Sequence, residues 1–196
     1  MSYNINNYHE PNTQITNSEE ALEMLIEGND RFVENKLISR NHYEEVRHLL
    51  SNGQKPFAII LCCSDSRVSP EILFDQRLGD IFVIRNAGNI VDDAVLGSIE
   101  YGVEHLGCKL VVVLGHSHCG AVTACIENHD ASNNVKSIID KIKPSITNNN
   151  IEETAINNAI NMANIIKTNS VVISENVKIV SGFFDIESGK VVFNKE

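Results

Sequence analysis

Tryptophan is absent from this 196-residue sequence, and aromatic residues make up only 6% of it. Basic residues are also scarce: Lys and Arg number 16 against 26 Asp and Glu, which gives a formal net charge of −10. Nucleic-acid binding depends on clustered basic side chains and, for single strands, on aromatic rings that stack on bases. We therefore expect a protein that does not bind nucleic acid.

Long apolar runs are missing as well. No run approaches the roughly 20 residues of a membrane-spanning helix, so we expect no membrane partner. Residues 1–16 are polar and Asn-rich and lack the basic and apolar regions of a secretory signal. The five cysteines are an odd number, which fits free or metal-bound thiols in a reducing compartment. These features predict a cytoplasmic protein.

The composition and length favour one globular domain. Hydrophobic residues make up 42% of the sequence and charged residues 21%, enough to build a core. Residues 1–15 are predicted to be a flexible arm and residues 16–196 a single domain. Thr16 and Glu19 have the spacing of a helix capping box, so a first amphipathic helix is expected over about 18–36. This helix could pack on its own core or on a partner subunit.

Strand and helix patterns alternate along the rest of the sequence. Continuous apolar runs predict buried strands at residues 57–62, 81–84 and 110–114. Helices are expected at about 43–50, at Pro70, at 94–106, from Gly120, at 135–143 and at 152–167. Residues 177–184 and 191–193, with a turn between them, predict a C-terminal hairpin. The fold class is therefore α/β, with a central, mainly parallel sheet flanked by helices, an N-terminal helical arm and the hairpin.

Metal-binding residue types follow two of the predicted strands. Cys63 comes directly after the first strand, and His116 and Cys119 follow the third. The carboxyl ends of parallel strands meet at one edge of a sheet, so these residues should converge. Two thiolates and one imidazole leave one coordination position open, as in catalytic zinc sites. A single cysteine is more often a small buried hydrophobe, but the group, with Asp65 and Arg67 beside it, favours a metal.

Around these residues the sequence resembles the β-class carbonic anhydrases. The resemblance rests on four segments: Cys63–Val68, Gly79–Asn89, Ser98–Gly107 and Gly115–Ala121. It implies an α/β fold and one Zn²⁺ per chain. It also implies reversible hydration of CO₂ to bicarbonate and a proton, by attack of zinc-bound hydroxide. The expected assembly is a homodimer or a dimer-based tetramer, with the N-terminal helices around the partner subunit.

The resemblance also implies roles for individual residues. The expected zinc ligands are Cys63, His116 and Cys119. Asp65 and Arg67 form the expected catalytic dyad, in which the planar guanidinium holds the carboxylate ionised and oriented. In some family members the aspartate leaves the arginine and binds zinc, so Asp65 is an additional expected ligand in a closed form. Tyr101 and Gly120 are expected to line the substrate pocket.

Three other functions stay open at this point. Cys119 could be the nucleophile of a hydrolase, activated by a nearby histidine, and such an activity would survive chelation. The same zinc site could hydrolyse a CO₂ analogue such as carbon disulfide. A non-catalytic zinc protein would need a missing or blocked Asp65–Arg67 dyad.

Several neighbouring residues have less specific expectations. His118 is either a residue at the rim of the site or a proton relay. Arg85 and Asn86 are expected to brace the crevice or the dimer interface. The remaining cysteines are expected to be buried, inert thiols: Cys62, Cys108 and Cys125.

Overall fold

The computed structural model describes residues 14–38, 43–127 and 131–194. Within these ranges the chain forms a five-stranded sheet with the strand order β2-β1-β3-β4-β5. The strands are β1 (Ala58–Cys63), β2 (Ile81–Asn86), β3 (Leu110–His116), β4 (Lys178–Phe184) and β5 (Val191–Phe193). The first four are parallel, and β5 is antiparallel to β4, which confirms the predicted mainly parallel sheet and hairpin.

Helices cover both faces of the sheet. They are α1 (Ser18–Val33), α2 (Tyr43–Leu50), α3 (Pro70–Leu73), α4 (Asp93–Glu104), α5 (Gly120–Ile126), α6 (Asn133–Ile142), α7 (Ile151–Lys167) and α8 (Ser170–Ser174). Short 3₁₀ turns lie at Ala87–Asn89 and Lys143–Ser145. The α/β class is as predicted, whereas α8 was not anticipated.

Two hydrophobic clusters sandwich the sheet, and β1 contributes to both. Ile59, Leu61 and Cys63 point into the cluster formed with α4, α5 and α7. Ile60 and Cys62 point into the cluster formed with α1 and α3. Because successive side chains of a strand alternate between faces, a strand covered on both sides needs apolar residues throughout.

The N-terminus of α1 differs in detail from the expectation. Asn17, not Thr16, is the N-cap: its side-chain oxygen accepts hydrogen bonds from the backbone N–H groups of Glu19 (2.9 Å) and Glu20 (3.3 Å). Asparagine caps helices as well as serine or threonine does, so the spacing of Thr16 and Glu19 did not decide which residue is the N-cap. The helix ends at Val33 rather than near residue 36, with Asn35 at a left-handed φ of 53°.

The N-terminal segment joins the domain before α1 begins. Most of the predicted flexible arm, residues 1–13, lies outside the described residues. Gln14 donates a hydrogen bond from Nε2 to the carbonyl of Gly107 (3.2 Å), and Ile15 is buried in the same cluster as α1. Ala21 and Leu25 bury one face of α1 against its own chain. Across the described ranges, no helix is both long and apolar enough to cross a membrane.

Candidate metal centre

The expected metal ligands come together at the carboxyl edge of the sheet. Cys63 ends β1, His116 ends the adjacent strand β3, and Cys119 is the N-cap of α5. All three residues are buried, and their ligand atoms lie within 4.8 Å of one another. No other group of three or more His, Cys, Asp or Glu residues in the described part of the chain has this arrangement.

The imidazole of His116 is oriented by the backbone carbonyl of the next residue, Ser117. Its Nδ1 lies 2.8 Å from the carbonyl oxygen of Ser117. A carbonyl can only accept, so Nδ1 carries the proton and Nε2 keeps a lone pair. Nε2 is buried and finds no hydrogen-bond partner among the described residues. A bound metal ion would satisfy this buried acceptor, and a histidine ligand held by its other nitrogen is the usual arrangement in metal sites.

Of the two thiols in the cluster, that of Cys63 ionises more readily. The Cys119 thiol donates a hydrogen bond to Cys63, which lowers the pKa of Cys63 and raises that of Cys119. The backbone N–H of Gly88 adds a hydrogen bond to the Cys63 sulfur at 3.3 Å. Thiolate is the form that binds metals, and two sulfurs with one imidazole nitrogen suit Zn²⁺. The donor set therefore fits a zinc ion.

A fully formed ion pair lies beside the cluster. Arg67 Nε donates to Asp65 Oδ1 (2.9 Å) and Arg67 Nη2 to Asp65 Oδ2 (2.7 Å), while the Arg67 backbone N–H also reaches Oδ1 (2.9 Å). These hydrogen bonds hold the pKa of Asp65 below its usual range. Asp65 is therefore an ionised carboxylate that accepts hydrogen bonds from Arg67. It does not belong to the cluster of possible ligand atoms, which Cys63, His116 and Cys119 form. Its role as a ligand in a closed form stays a prediction.

Backbone carbonyls of the site are held by arginine side chains. Arg85 donates from Nε to the carbonyl of Cys63 (3.2 Å) and from Nη2 to that of Asp65 (2.8 Å), so the expected bracing by Arg85 is confirmed. Arg67 Nη2 also donates to the carbonyl of His118 (3.3 Å). His118 has a left-handed φ of 54° and is exposed. The hydrogen bond that the His118 carbonyl accepts from Arg67 could not be predicted from the sequence, because it depends on the conformation of this turn.

The two expected pocket residues lie in different places. Gly120 is the first residue of α5, directly after Cys119, with open space where a side chain would stand. The Tyr101 ring on α4 lies 6.2 Å from the ring of Phe82. Phe82 pairs with Ile59 near the start of β1, the end away from Cys63. Within one chain Tyr101 is therefore not brought to the cluster, and both pocket roles stay predictions.

The other three cysteines are buried, as expected: Cys62, Cys108 and Cys125. Burial raises the pKa of the Cys62 and Cys108 thiols to about 12. Burial also raises the pKa of Cys125. Burial therefore keeps these three sulfurs protonated, and none of them belongs to the grouped ligand atoms.

Comparison with known proteins identifies the family. The carbonic anhydrase family model matches residues 58–191, which include the whole cluster and the ion pair. This chain belongs to the carbonic anhydrase family. It is 45% identical over 135 residues to carbonic anhydrase 2 of Mycobacterium tuberculosis, which covers 67% of this chain and 65% of that protein. It is 47% identical over 130 residues to the carbonic anhydrase of Mycolicibacterium smegmatis, covering 64% and 63%.

Solved structures agree on the β class of carbonic anhydrase. The β-carbonic anhydrase CcaA superimposes with a TM-score of 0.70 at 26% identity, covering 89% of this chain and 95% of that one. The Coccomyxa β-carbonic anhydrase in complex with acetazolamide has the same fold, with a TM-score of 0.71 at 22% identity. It covers 87% of this chain and 85% of that one.

Proposed function

We propose that this protein catalyses the reversible hydration of CO₂ to bicarbonate and a proton, with one Zn²⁺ per chain held by Cys63, His116 and Cys119. The observation that carries the proposal is the buried cluster of these three residues beside a formed Asp65–Arg67 pair. Family membership supports the same reaction. When bound, Zn²⁺ supplies a water acidic enough to provide a nucleophile near neutral pH.

The chain's own residues orient the reactants. Asp65 is held ionised, so its carboxylate can accept a hydrogen bond from a water or hydroxide beside the cluster and direct the oxygen lone pair towards CO₂. Arg67 holds both oxygens of that carboxylate and keeps it in one orientation. Arg85 fixes the backbone of the segment that carries Cys63 and Asp65. Such surrounding bonds matter because two thiolates offset the metal charge and leave it less able to acidify water.

We propose that the active form is a homodimer or a dimer-based tetramer and that the protein is cytoplasmic. A solved structural neighbour of the same fold, from Sordaria macrospora, is described as a tetrameric β-carbonic anhydrase. It has a TM-score of 0.71 at 24% identity and covers 89% of this chain and 96% of that one. Light scattering coupled to size-exclusion chromatography tests the assembly, and a purely monomeric species at micromolar concentration would contradict it.

The decisive experiment measures zinc per chain and stopped-flow CO₂ hydration on the same preparation. We expect about one zinc per chain and activity that is lost on chelation and returns with zinc. Cys119→Ser should lose both zinc and activity. Cys125→Ser changes a buried cysteine of the same helix that lies outside the cluster, and it should keep both.

Other outcomes identify the rival functions. Activity that survives chelation and is abolished by a thiol alkylator would identify a cysteine hydrolase and contradict the proposal. Zinc-dependent release of sulfide from carbon disulfide, without CO₂ hydration, would identify the hydrolase of a CO₂ analogue. Stoichiometric zinc with neither activity would identify a non-catalytic zinc protein.

A further inference from the structure

Ser117 connects a metal ligand to the β4–β5 hairpin. Its backbone N–H donates to the carbonyl of Phe184 (3.0 Å), and its hydroxyl oxygen accepts from the N–H of Ile186 (2.9 Å). The hydroxyl donates in turn to Asp185 Oδ1 (3.3 Å). The carbonyl of the same residue accepts from His116 Nδ1 (2.8 Å). Ser117 is fully buried, so each of these polar groups is satisfied inside the protein.

We propose that Ser117 is a positioning residue for the metal site. Its hydroxyl, anchored on the hairpin, holds the Ser117 carbonyl against Nδ1 of His116 and so directs Nε2 towards the ion. This inference rests on the proposed metal site and adds a residue on which the strength of that site depends.

The geometry explains why a hydroxyl is needed at this position. The Ser117 carbonyl belongs to the peptide that precedes His118, and His118 has a left-handed φ of 54° that is unfavourable for a residue with a side chain. Rotation of this peptide would relieve that conformation and would move the carbonyl away from Nδ1. The Ser117 hydroxyl and N–H fix one side of the peptide, and Arg67 holds the His118 carbonyl on the other (3.3 Å).

The hairpin is itself a fixed support. Asn29 of α1 is buried, and its Nδ2 donates to the carbonyl of Gly189 (2.9 Å) while its Oδ1 accepts from the N–H of Val191 (2.8 Å). The orientation of His116 therefore depends on a turn that is held by the first helix.

The test compares Ser117→Ala with Ser188→Ala. Both substitutions remove a serine hydroxyl that donates to Asp185. Only Ser117 is also bonded to the proposed ligand His116, through its backbone carbonyl. For Ser117→Ala we expect zinc affinity, measured by competition with a chromophoric chelator, to fall by about 10- to 100-fold. We also expect changed visible absorption bands in the Co²⁺-substituted protein, because the imidazole is less well fixed. Ser188→Ala should match the wild type in both measurements.

Asp185 gives a second route if Ser117→Ala does not fold. Asp185→Ala removes the acceptor of the Ser117 hydroxyl, whereas Asp185→Asn keeps an acceptor oxygen. We expect weaker zinc binding and altered Co²⁺ bands in the alanine variant and recovery of both in the asparagine variant. Equal zinc affinity and equal spectra in all of these variants and the wild type would overturn the inference.

The same experiment separates this inference from the proposed function. Wild-type protein that binds zinc but does not hydrate CO₂ would contradict the function, and the zinc affinities of the variants would still decide the role of Ser117. Wild-type protein that binds no zinc or cobalt would overturn both. A folded Ser117→Ala protein with wild-type affinity and spectrum would overturn the inference alone.

Discussion

The carboxylate of Asp65, beside the candidate metal centre, is fixed by more hydrogen bonds than one ion pair requires. Asp65 receives three hydrogen bonds from Arg67, through the backbone N–H and the guanidinium. The Asp65 side chain is only 15% exposed, whereas that of Arg67 is 49% exposed. The pair therefore has its carboxylate towards the protein interior and its cation towards solvent.

Replacing the carboxylate tests its role directly. Asp65→Asn keeps the shape but removes the charge and replaces one acceptor oxygen with an NH₂ donor. We expect zinc content close to one per chain and CO₂ hydration slower by about 10- to 100-fold, because the nucleophile loses its oriented acceptor. Stopped-flow kinetics on zinc-replete protein measures this. Wild-type turnover in that variant would exclude the proposed role.

The arginine is tested by a substitution that keeps its charge. Arg67→Lys loses the planar fork that bonds both carboxylate oxygens and the contact to the His118 carbonyl. We expect turnover to fall by about 10-fold or more with zinc retained. Arg77→Lys is the control, since Arg77 pairs with Asp80 just before β2, away from the cluster. A similar loss in both variants would point to a general effect on folding.

At the scale of elements, the turn Ala87–Asn89 supports the metal centre from outside the two ligand motifs. Gly88 has a left-handed φ of 76° and donates its N–H to the Cys63 sulfur. A Cβ at this position would lie 2.7 Å from Ile142 Cδ1 and 3.1 Å from the Cβ of Ala121. The Gly88 carbonyl accepts from Asn158 Nδ2 of α7 (2.9 Å). The turn is thus enclosed by α5, α6 and α7.

Gly88→Ala should therefore damage both the fold and the site. The left-handed conformation and the close contacts predict a loss of about 2–4 kcal/mol in the free energy of unfolding. Urea unfolding followed by circular dichroism measures it. Gly97→Ala on α4 is the control, and it should raise the free energy of unfolding. A Cβ there meets open space, and alanine favours a helix over glycine by up to about 1 kcal/mol. An unchanged free energy of unfolding in Gly88→Ala would contradict this prediction and show that the turn can relax.

Element boundaries were predictable where the sequence carries strong stop signals. The end of α2 at Leu50 and the turn between β4 and β5 were both correctly placed by glycine-containing segments. By contrast, β2 continues to Asn86, beyond the predicted end at residue 84, because its polar last residues pair with Cys62 and Cys63 of β1. Pairing with a distant strand leaves no local signal. The short α8 was missed because its apolar residues resemble a strand, although its N-cap Asn169 was a usable signal.

The cluster of proposed metal ligands was predictable from the sequence, but the contacts that support it were only partly so. Cys63 and His116 end adjacent parallel strands, and Cys119 follows His116 by three residues, so the sheet brings all three to one edge. The bond from Gly88 to Cys63 and the anchoring of Ser117 join segments far apart in the chain. Such contacts depend on side-chain and turn geometry, which apolar periodicity does not encode.

At the scale of the whole molecule, the proposed zinc would join separate parts of the fold. Its ligands come from β1, from β3 and from the start of α5. A ligand that binds only the folded state at about 1,000 times its dissociation constant stabilises it by about 4 kcal/mol. For a chain of this size each kcal/mol corresponds to roughly 2–4 °C in Tm.

Removal of the metal should therefore lower thermal stability. We expect Tm to fall by about 8–16 °C on chelation and to recover when zinc is added back. Differential scanning calorimetry with and without a chelator measures the change, and Cys119→Ser should be insensitive to chelator. A wild-type protein with the same Tm before and after proven metal removal would contradict the proposed site.

The two successive cysteines at the end of β1 have a consequence for assembly of the sheet. Cys62 and Cys63 face opposite sides, and only the observed register presents the sulfur of Cys63 beside His116. A slip of β1 by one residue that moves Cys62 to the position of Cys63 would exchange the faces and place the sulfur of Cys62 at the site. A misaligned chain could therefore still capture a cation during folding. Correct alignment then depends on the other side chains of β1, because Ile59 and Leu61 pack in one cluster and Ala58 and Ile60 in the other.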